Sequence, residues 1–261
     1  MLQSETEKER TKEAFPYQRY QWILDILKAE GKVVAVEAAE RLNVSIDTIR
    51  RDLIQLAHEG RLQRVHGGAL PISTALGTVG QRSSERHQVK TQIAEKAAKL
   101  IHDEHYVMMD GGTTNVELAA RIDVRLHFTL VTNNLKAALL LAERGSAAEI
   151  IVLGGRLDPH DLIASNAGTV SEIAGFRCDL YFMGICAVHP EVGLTCRTFA
   201  DLEIKRAMTN SSAEVVGLAD LEKLGTAAPM VLGPITLLHT LITEGPSEKL
   251  DEYRRKGIVV R

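Results

Sequence analysis

The sequence predicts an α/β protein in two parts: a small helical unit closed by a basic hairpin, then a larger domain with a mainly parallel sheet. Three observations predict it. Short amphipathic helical patterns and a glycine-closed basic strand fill the chain up to Leu70. A stretch from Pro71 to Gly80 is rich in small residues, Gly and Ser/Thr, which marks a connector. From Val89 onward, apolar strand-like runs alternate with amphipathic helices, the pattern of a parallel sheet covered by helices. The expected divisions are a disordered tail at 1–15, a first unit at 16–71, a linker at 72–88 and an α/β unit at 89–261.

The bulk numbers narrow the function classes. With 261 residues, the chain holds two ordinary domains. Hydrophobic residues at 45% and charged residues at 25% suit a soluble globular protein with a buried core. No apolar run is long enough to cross a bilayer. Met1 to Ala14 is polar and charged, without the apolar segment of an export signal, so a cytoplasmic location and no membrane partner are expected. A net charge of −3 excludes a globally basic nucleic-acid binder but not a local basic surface. Cys178, Cys186 and Cys196 are widely spaced and include no C-x-x-C pair, so free thiols and no metal centre are expected.

In the first unit, a helix starts near Pro16, a residue suited to a first helical turn. Tyr20, Ile23, Leu24 and Leu27 form its apolar face, and Gly31 stops it. A second helix covers Glu37 to Leu42. Asn43-Val44-Ser45 then turns the chain, and Ser45 is a natural N-cap for a third helix over Ile46 to Glu59. Ile49, Leu53 and Leu56 form the inner stripe of that helix, leaving Asp47, Thr48, Arg50 and Arg51 to face elsewhere. Two short helices, a turn and a third helix with basic residues near its start make a helix-turn-helix, whose recognition helix enters the major groove of double-stranded DNA. An arginine there can take guanine O6 and N7 together or clamp a phosphate. Arg61 to His66 reads as a period-two strand closed by Gly67-Gly68, a wing that would set Arg61, Arg64 and His66 near the backbone or minor groove.

In the second unit, the expected strands are Tyr106–Met109, Phe128–Thr132, Glu149–Leu153, Asp179–Met183, Val215–Ala219 and Leu237–Ile242. Helical patterns lie at Thr91–Ile101, Thr114–Ile122 and Leu135–Arg144. Asp110-Gly111-Gly112-Thr113-Thr114 follows a strand and opens a helix. Its glycines permit a sharp turn and a close approach, and its amides and hydroxyls suit a phosphate. A simple tight turn is the alternative, and the segment is not a Walker A loop. Other strands end in Asn133-Asn134, Gly154-Gly155, Gly184 and Asp220 with Lys223 close behind. In a parallel sheet these ends share one edge, where ligands bind. Together they suit a polyol bearing a phosphate. Lys205, on the helical stretch Ala200–Met208, could meet that phosphate or pair with a neighbouring acid on the surface. His102, His105 and His189 lack an accompanying ligand set and read as solvated or hydrogen-bonding histidines.

The run Arg19, Ile23, Leu27, then Ser45, Thr48-Ile49-Arg50-Arg51-Asp52-Leu53, resembles the signature of the DeoR family of bacterial repressors. Gly60 and Arg64-Val65-His66-Gly67-Gly68-Ala69 resemble that family's wing. The C-terminal half is similar to the DeoR-type sensor, which shares its fold with ribose-5-phosphate isomerase. The matching positions are Lys90, Ile93-Ala94, Asp110 to Thr114, Thr132 to Asn134, Gly154-Gly155, Asp179, Gly193, Glu203, Lys205, Asp220, Lys223 and Gly225. Val34 departs from the family's usual capping Ser or Thr, and Ala38 from a common Leu. Leu221-Glu222 replaces two small polar residues, and the Glu222 carboxylate could reshape the pocket, repel some phosphates or face solvent. Asp52 is expected to be structural, because an acid facing phosphate would repel it.

The resemblance implies a repressor of a sugar-catabolism operon, released by a phosphorylated sugar or related intermediate, with no cofactor and no catalytic residue. Paired recognition helices require a homodimer or higher homo-oligomer. The alternative is a phosphosugar isomerase-like enzyme with an appended DNA-binding domain, using Asp110 and Glu203 as its acids. The helix-turn-helix has no role in such an enzyme.

Overall fold

A computed structural model describes residues 16–73 and 79–261. The expected disordered tail and part of the expected linker lie outside the described residues. The described chain falls into two compact units, the first running to Ile72 and including Gly225–Ala227, the second made of Ser73–Leu224 and Ala228–Arg261.

The first unit opens with helix α1 (Pro16–Glu30), which buries Ile23 and Leu27 and ends at Gly31. Strand β1 (Val33–Val34), helix α2 (Ala35–Arg41), helix α3 (Ile46–His58) and strands β2 (Gln63–Val65) and β3 (Gly68–Leu70) follow. The strands form an antiparallel sheet in the order β1-β3-β2. Ile23, Ala38, Ile49, Leu53, Leu56 and Leu62 fill one core beneath the helices. Helix α2 starts two residues earlier than its apolar pattern predicts. Val34 gives it no side-chain cap, but the Ala35 amide donates to the Gly67 carbonyl at 2.8 Å. The wing turn thus satisfies a helix-start donor that the missing Ser or Thr leaves open. Strand β3 runs so close to β1 that a Cβ on Gly68 would lie 1.8 Å from the Val33 oxygen, so only glycine fits there.

The second unit begins with helices α4 (Val79–Ser84) and α5 (His87–Ala98), so the segment expected to be a linker carries a helix of its own. Next come β4 (Tyr106–Met109), α6 (Thr113–Ala119), β5 (Thr129–Thr132), α7 (Leu135–Glu143) and β6 (Glu149–Val152). A short hairpin, β7 (Arg156–Asp158) and β8 (Ile163–Ser165), leads into α8 (Ala167–Ile173) and β9 (Cys178–Gly184). Strands β10 (Ala187–His189) and β11 (Gly193–Cys196), helix α9 (Phe199–Asn210) and strands β12 (Ser212–Leu218) and β13 (Met230–Gly233) follow. The chain closes with β14 (Thr240–Ile242), α10 (Leu250–Arg255) and β15 (Val259–Val260). Where one strand was expected over Leu237–Ile242, a 3-10 turn at Ile235–Leu237 precedes the shorter β14.

The main sheet is parallel throughout, in the order β15-β14-β12-β9-β4-β5-β6. The two-residue side-chain period sends Met108, Tyr181 and Met183 to one core and Val107, Met109 and Phe182 to the other. Helices cover both faces, as buried parallel strands require. Strands β10, β11 and β13 form a separate antiparallel sheet. From β4 the chain builds outward through β5 and β6, then returns to β4's other side to add β9, β12, β14 and β15. The order therefore reverses between β4 and β9, and a crevice opens beyond the carboxyl ends of such a pair.

Candidate nucleic-acid interface and anion pocket

In the first unit, Ser45 caps α3: the Thr48 amide donates to Ser45 Oγ at 3.1 Å, and the two hydroxyls lie 2.9 Å apart. Asp47 accepts from the Arg50 guanidinium at 3.0 Å on the exposed face of α3, beside exposed Arg51. On the wing, Arg61, Arg64 and His66 are exposed. Asp52 points the other way, into the core. Arg19 donates to both its oxygens, at 2.6 and 3.0 Å, and both residues are largely buried. That hydrogen bond raises the Arg19 guanidinium above its ordinary value, so the fork stays charged.

In the second unit, the β4/β9 switch point opens a crevice of about 100 Å³. Gly111, Gly112, Thr113 and Thr114 form one wall, with Gly112 at φ +121°, a conformation that favours glycine. Lys205 and Lys223 also line it. So do residues the sequence did not single out: Arg82 from α4, Asp158 and Asp161 from the β7–β8 hairpin, and Arg197 and Asp201 at the start of α9. Of these, Asp201 carried a signal, since it sits one helical turn before Lys205.

Asp110 does not line the crevice; it is fully buried behind it. Its carboxylate accepts from Asn115 Nδ2 at 2.9 Å, the Gly184 amide at 2.7 Å, the Tyr181 hydroxyl at 2.6 Å and the Lys205 ammonium. Lys205 also donates to the Gly184 carbonyl at 2.9 Å and meets Asp201 at 3.3 Å. Lys205 is therefore in a buried ion pair, not a surface one. Burial opposes the Lys205 charge, but Asp110 and Asp201 outweigh it and raise the ammonium above its ordinary value. Burial also raises the Asp201 carboxyl, against the pull of Lys205. Burial, then the Asp110 charge, pushes the Tyr181 phenol up, so it remains a donor.

Several expected ligand residues stand outside the crevice. Asn134 caps α7 through the Ala137 amide at 3.1 Å, and its amide group donates to the Asp110 carbonyl at 3.2 Å. Asn133 donates to the Ala164 carbonyl at 2.9 Å. The Gly154 carbonyl accepts from Thr169, and Gly155 turns into β7. Asp220 lines a smaller adjoining cavity of about 60 Å³, which shares Arg82, Thr113 and Lys223 with the crevice. Glu222 lines that second cavity and pairs with Arg86. Lys223 Nζ donates to the Ile185 carbonyl at 2.7 Å, and burial lowers this ammonium below its ordinary value. Glu203 pairs with Arg206 at 3.3 Å, away from the crevice.

The remaining polar groups have local roles. The His102 and His105 rings meet edge to face, and His189 Nδ1 accepts from the Glu191 amide at 3.1 Å in a turn. Among the described residues, no three His, Cys, Asp or Glu side chains gather to hold a metal ion. Burial raises all three thiols, that of Cys178 to about 11 and that of Cys196 to about 12. No described helix is long and apolar enough to cross a membrane.

A winged helix-turn-helix unit followed by an α/β unit with a polar crevice at its sheet reversal makes a transcription regulator with a sensor domain. Residues 19–75 match the family model of the DeoR-like helix-turn-helix domain, and residues 85–245 match that of the DeoR C terminal sensor domain. The chain belongs to the DeoR family. It is 31% identical over 230 residues to the glycerol-3-phosphate regulon repressor of Escherichia coli (strain K12), covering 88% of this chain and 91% of that one. It is 29% identical over 224 residues to the HTH-type transcriptional repressor GlcR of Bacillus subtilis (strain 168), covering 85% and 86%. Among solved structures, ribose 5-phosphate isomerase A from Methanocaldococcus jannaschii aligns with a TM-score of 0.40 at 16% identity, covering 54% of this chain and 55% of that chain.

Proposed function

We propose that the chain is a cytoplasmic repressor that binds double-stranded operator DNA as a homodimer or higher homo-oligomer. A phosphorylated sugar or related polyol phosphate releases it. Residues 16–71 bind DNA, 89–261 sense the effector, and 72–88 join the two and supply Arg82 to the crevice. The observation that carries the proposal is the crevice at the β4/β9 reversal, where Arg82, Arg197 and Lys223 stand beside Thr113 and Thr114. Cations beside hydroxyls suit a ligand with a phosphate at one end and hydroxyls at the other. The name of one relative, a glycerol-3-phosphate regulon repressor, supports the same class of effector.

In this mechanism Arg50 and Arg51 reach base edges or phosphates in the major groove, with Asp47 orienting Arg50 and with Ser45 and Thr48 holding the helix start. Arg61, Arg64 and His66 meet the DNA backbone from the wing. The Gly111 to Thr114 loop cradles the effector phosphate, while Asp110, Lys205, Asn133, Asn134, Gly154 and Gly155 shape the sheet edge around it. Lys223 lines the crevice itself, and Asp220 borders it from the adjoining cavity. The effector releases DNA by binding the DNA-competent and DNA-incompetent states with different affinity. A regulator is favoured over an isomerase. Asp110 accepts four hydrogen bonds, one of them from a protonated lysine, which leaves it poorly suited to act as a base.

The test is fluorescence anisotropy of labelled DNA from upstream of the chain's own gene, at stated salt, with and without a panel of sugar and polyol phosphates. Specific binding that one phosphorylated compound releases is the expected result. Equal affinity for random and upstream DNA, with no response to any compound, would overturn the proposal.

A further inference from the structure

Arg82 and Asp161, which both line the crevice, form an ion pair between residues 79 apart in the chain. Arg82 comes from α4 and Asp161 from the turn between β7 and β8. Their side chains are 15% and 25% exposed, so water and solutes reach the carboxylate more readily than the guanidinium. We infer that Arg82 is an anion-binding residue of the effector pocket and that Asp161 is the counter-ion an arriving phosphate displaces. This rests on the phosphate-sensing proposal above and deepens it by giving Arg82 a direct contact with the phosphate and naming the counter-ion it exchanges.

Two lysines near Arg82 are engaged differently. Lys205 is neutralised by two carboxylates and lies 4% exposed. Lys90 does not line the crevice; its ammonium donates to the Glu85 carbonyl at 2.6 Å and to the Arg82 carbonyl. Arg82 meets a partly exposed carboxylate on a turn. That turn keeps its shape without Arg82. Asp158 Oδ1 accepts from the His160 amide at 2.7 Å and the Asp161 amide at 3.3 Å. The Leu162 amide donates to the Asp158 carbonyl at 2.8 Å, and the Leu135 amide to the Leu162 carbonyl at 3.1 Å. The hairpin also rests on the phosphate loop, where Ile163 stands so near Gly111 that a Cβ there would lie 2.7 Å from it. Asp161 can therefore release Arg82 without loss of the turn.

The exchange selects for charge. A guanidinium fork matches phosphate oxygens as well as it matches a carboxylate. A phosphate monoester carries about −1.5 to −2 charges against the single charge of Asp161. A dianion therefore displaces Asp161, whereas an unphosphorylated sugar cannot.

Isothermal titration of the whole chain with inorganic phosphate, glycerol 3-phosphate and glucose 6-phosphate, with glycerol as the neutral control, tests this. Arg82→Ala is expected to weaken binding of the phosphorylated probes roughly ten- to a hundredfold. Arg82→Lys, which keeps the charge without the fork, falls between that variant and the parent. Asp161→Asn removes the competing carboxylate and is expected to tighten binding severalfold. Opposite signs for the Arg82 and Asp161 variants are the signature, because a pair that only braces α4 would lose affinity from either side. Changes in the same direction, or no change in either variant, overturn the inference. If no phosphorylated probe binds the parent chain, the phosphate-sensing proposal fails first and takes this inference with it.

Discussion

Asp110→Asn is expected to destabilise the C-terminal unit by about 3 kcal/mol. The carboxylate serves four donors: Asn115, Gly184, Tyr181 and Lys205. An asparagine oxygen can replace one carboxylate oxygen, but its NH2 group turns a donor toward the rest. Lys205 would stay buried, with Asp201 at 3.3 Å as its remaining carboxylate. Removing one partner of a buried ion pair costs about 3–5 kcal/mol, and the surviving Asp201 contact puts this case at the low end. In a domain of this size each kcal/mol moves Tm by about 2–4 °C, so a fall of roughly 6–12 °C should follow. Thermal unfolding of the whole chain by calorimetry and circular dichroism reads it. Asp110→Asn combined with Lys205→Met removes the orphaned charge and should recover part of the loss. A Tm within about 2 °C of the parent for the single variant would refute Asp110 as the anchor of the pocket floor.

Three further outcomes follow from the geometry. Arg50→Ala or Arg51→Ala should weaken operator binding by about 1–3 kcal/mol where the arginine reads a base. Where it holds phosphate, binding should weaken on all sequences and the salt slope should drop by about one; anisotropy titrations at several salt concentrations separate the two, and no change in either refutes the recognition-helix assignment. Arg19→Met leaves Asp52 buried without its partner and should cost the first unit about 3 kcal/mol or more, abolishing DNA binding while calorimetry still detects phosphate-probe binding. Finally, burial holds the Lys223 ammonium below its ordinary value, and an anion beside it favours the charged form. Binding should therefore take up protons at alkaline pH, and probe affinity should fall as pH rises through the lowered Lys223 value toward the ordinary lysine range. Titrations at a series of alkaline pH values up to the ordinary lysine value, in buffers of different ionisation enthalpy, would show that uptake, and a pH-independent affinity across that series would refute it.

The legible parts of the chain share a physical cause. Ser45 as N-cap and the Ile49, Leu53, Leu56 stripe follow from helix geometry over a few neighbouring residues. The same holds for the strand at Tyr106–Met109, bounded by a turn and a glycine loop. Other elements gave no such signal. Strands β7, β8 and β10, three residues each, are too short to display a period. The early start of α2 depends on a carbonyl from the wing, and Asn134 looks like a ligand residue until its capping bond is seen. Glu222 lines the second cavity and meets Arg86, whose other guanidinium nitrogen meets Glu244 at 2.8 Å, a pairing no local pattern shows.

What the sequence determined by itself was the class of each unit, because caps, apolar periods and turn residues act between neighbours in the chain. It also placed the strand ends along one edge, because a parallel sheet gathers them whatever its order. Only the tertiary structure decided which residues share the crevice. Asp110 and Lys205 meet across 95 residues and bury each other, and Arg82 crosses from an expected linker to face Asp161. Such pairs depend on where the sheet order reverses and how a hairpin folds over that point. They are set by the packing of the whole unit, and no local pattern carries them.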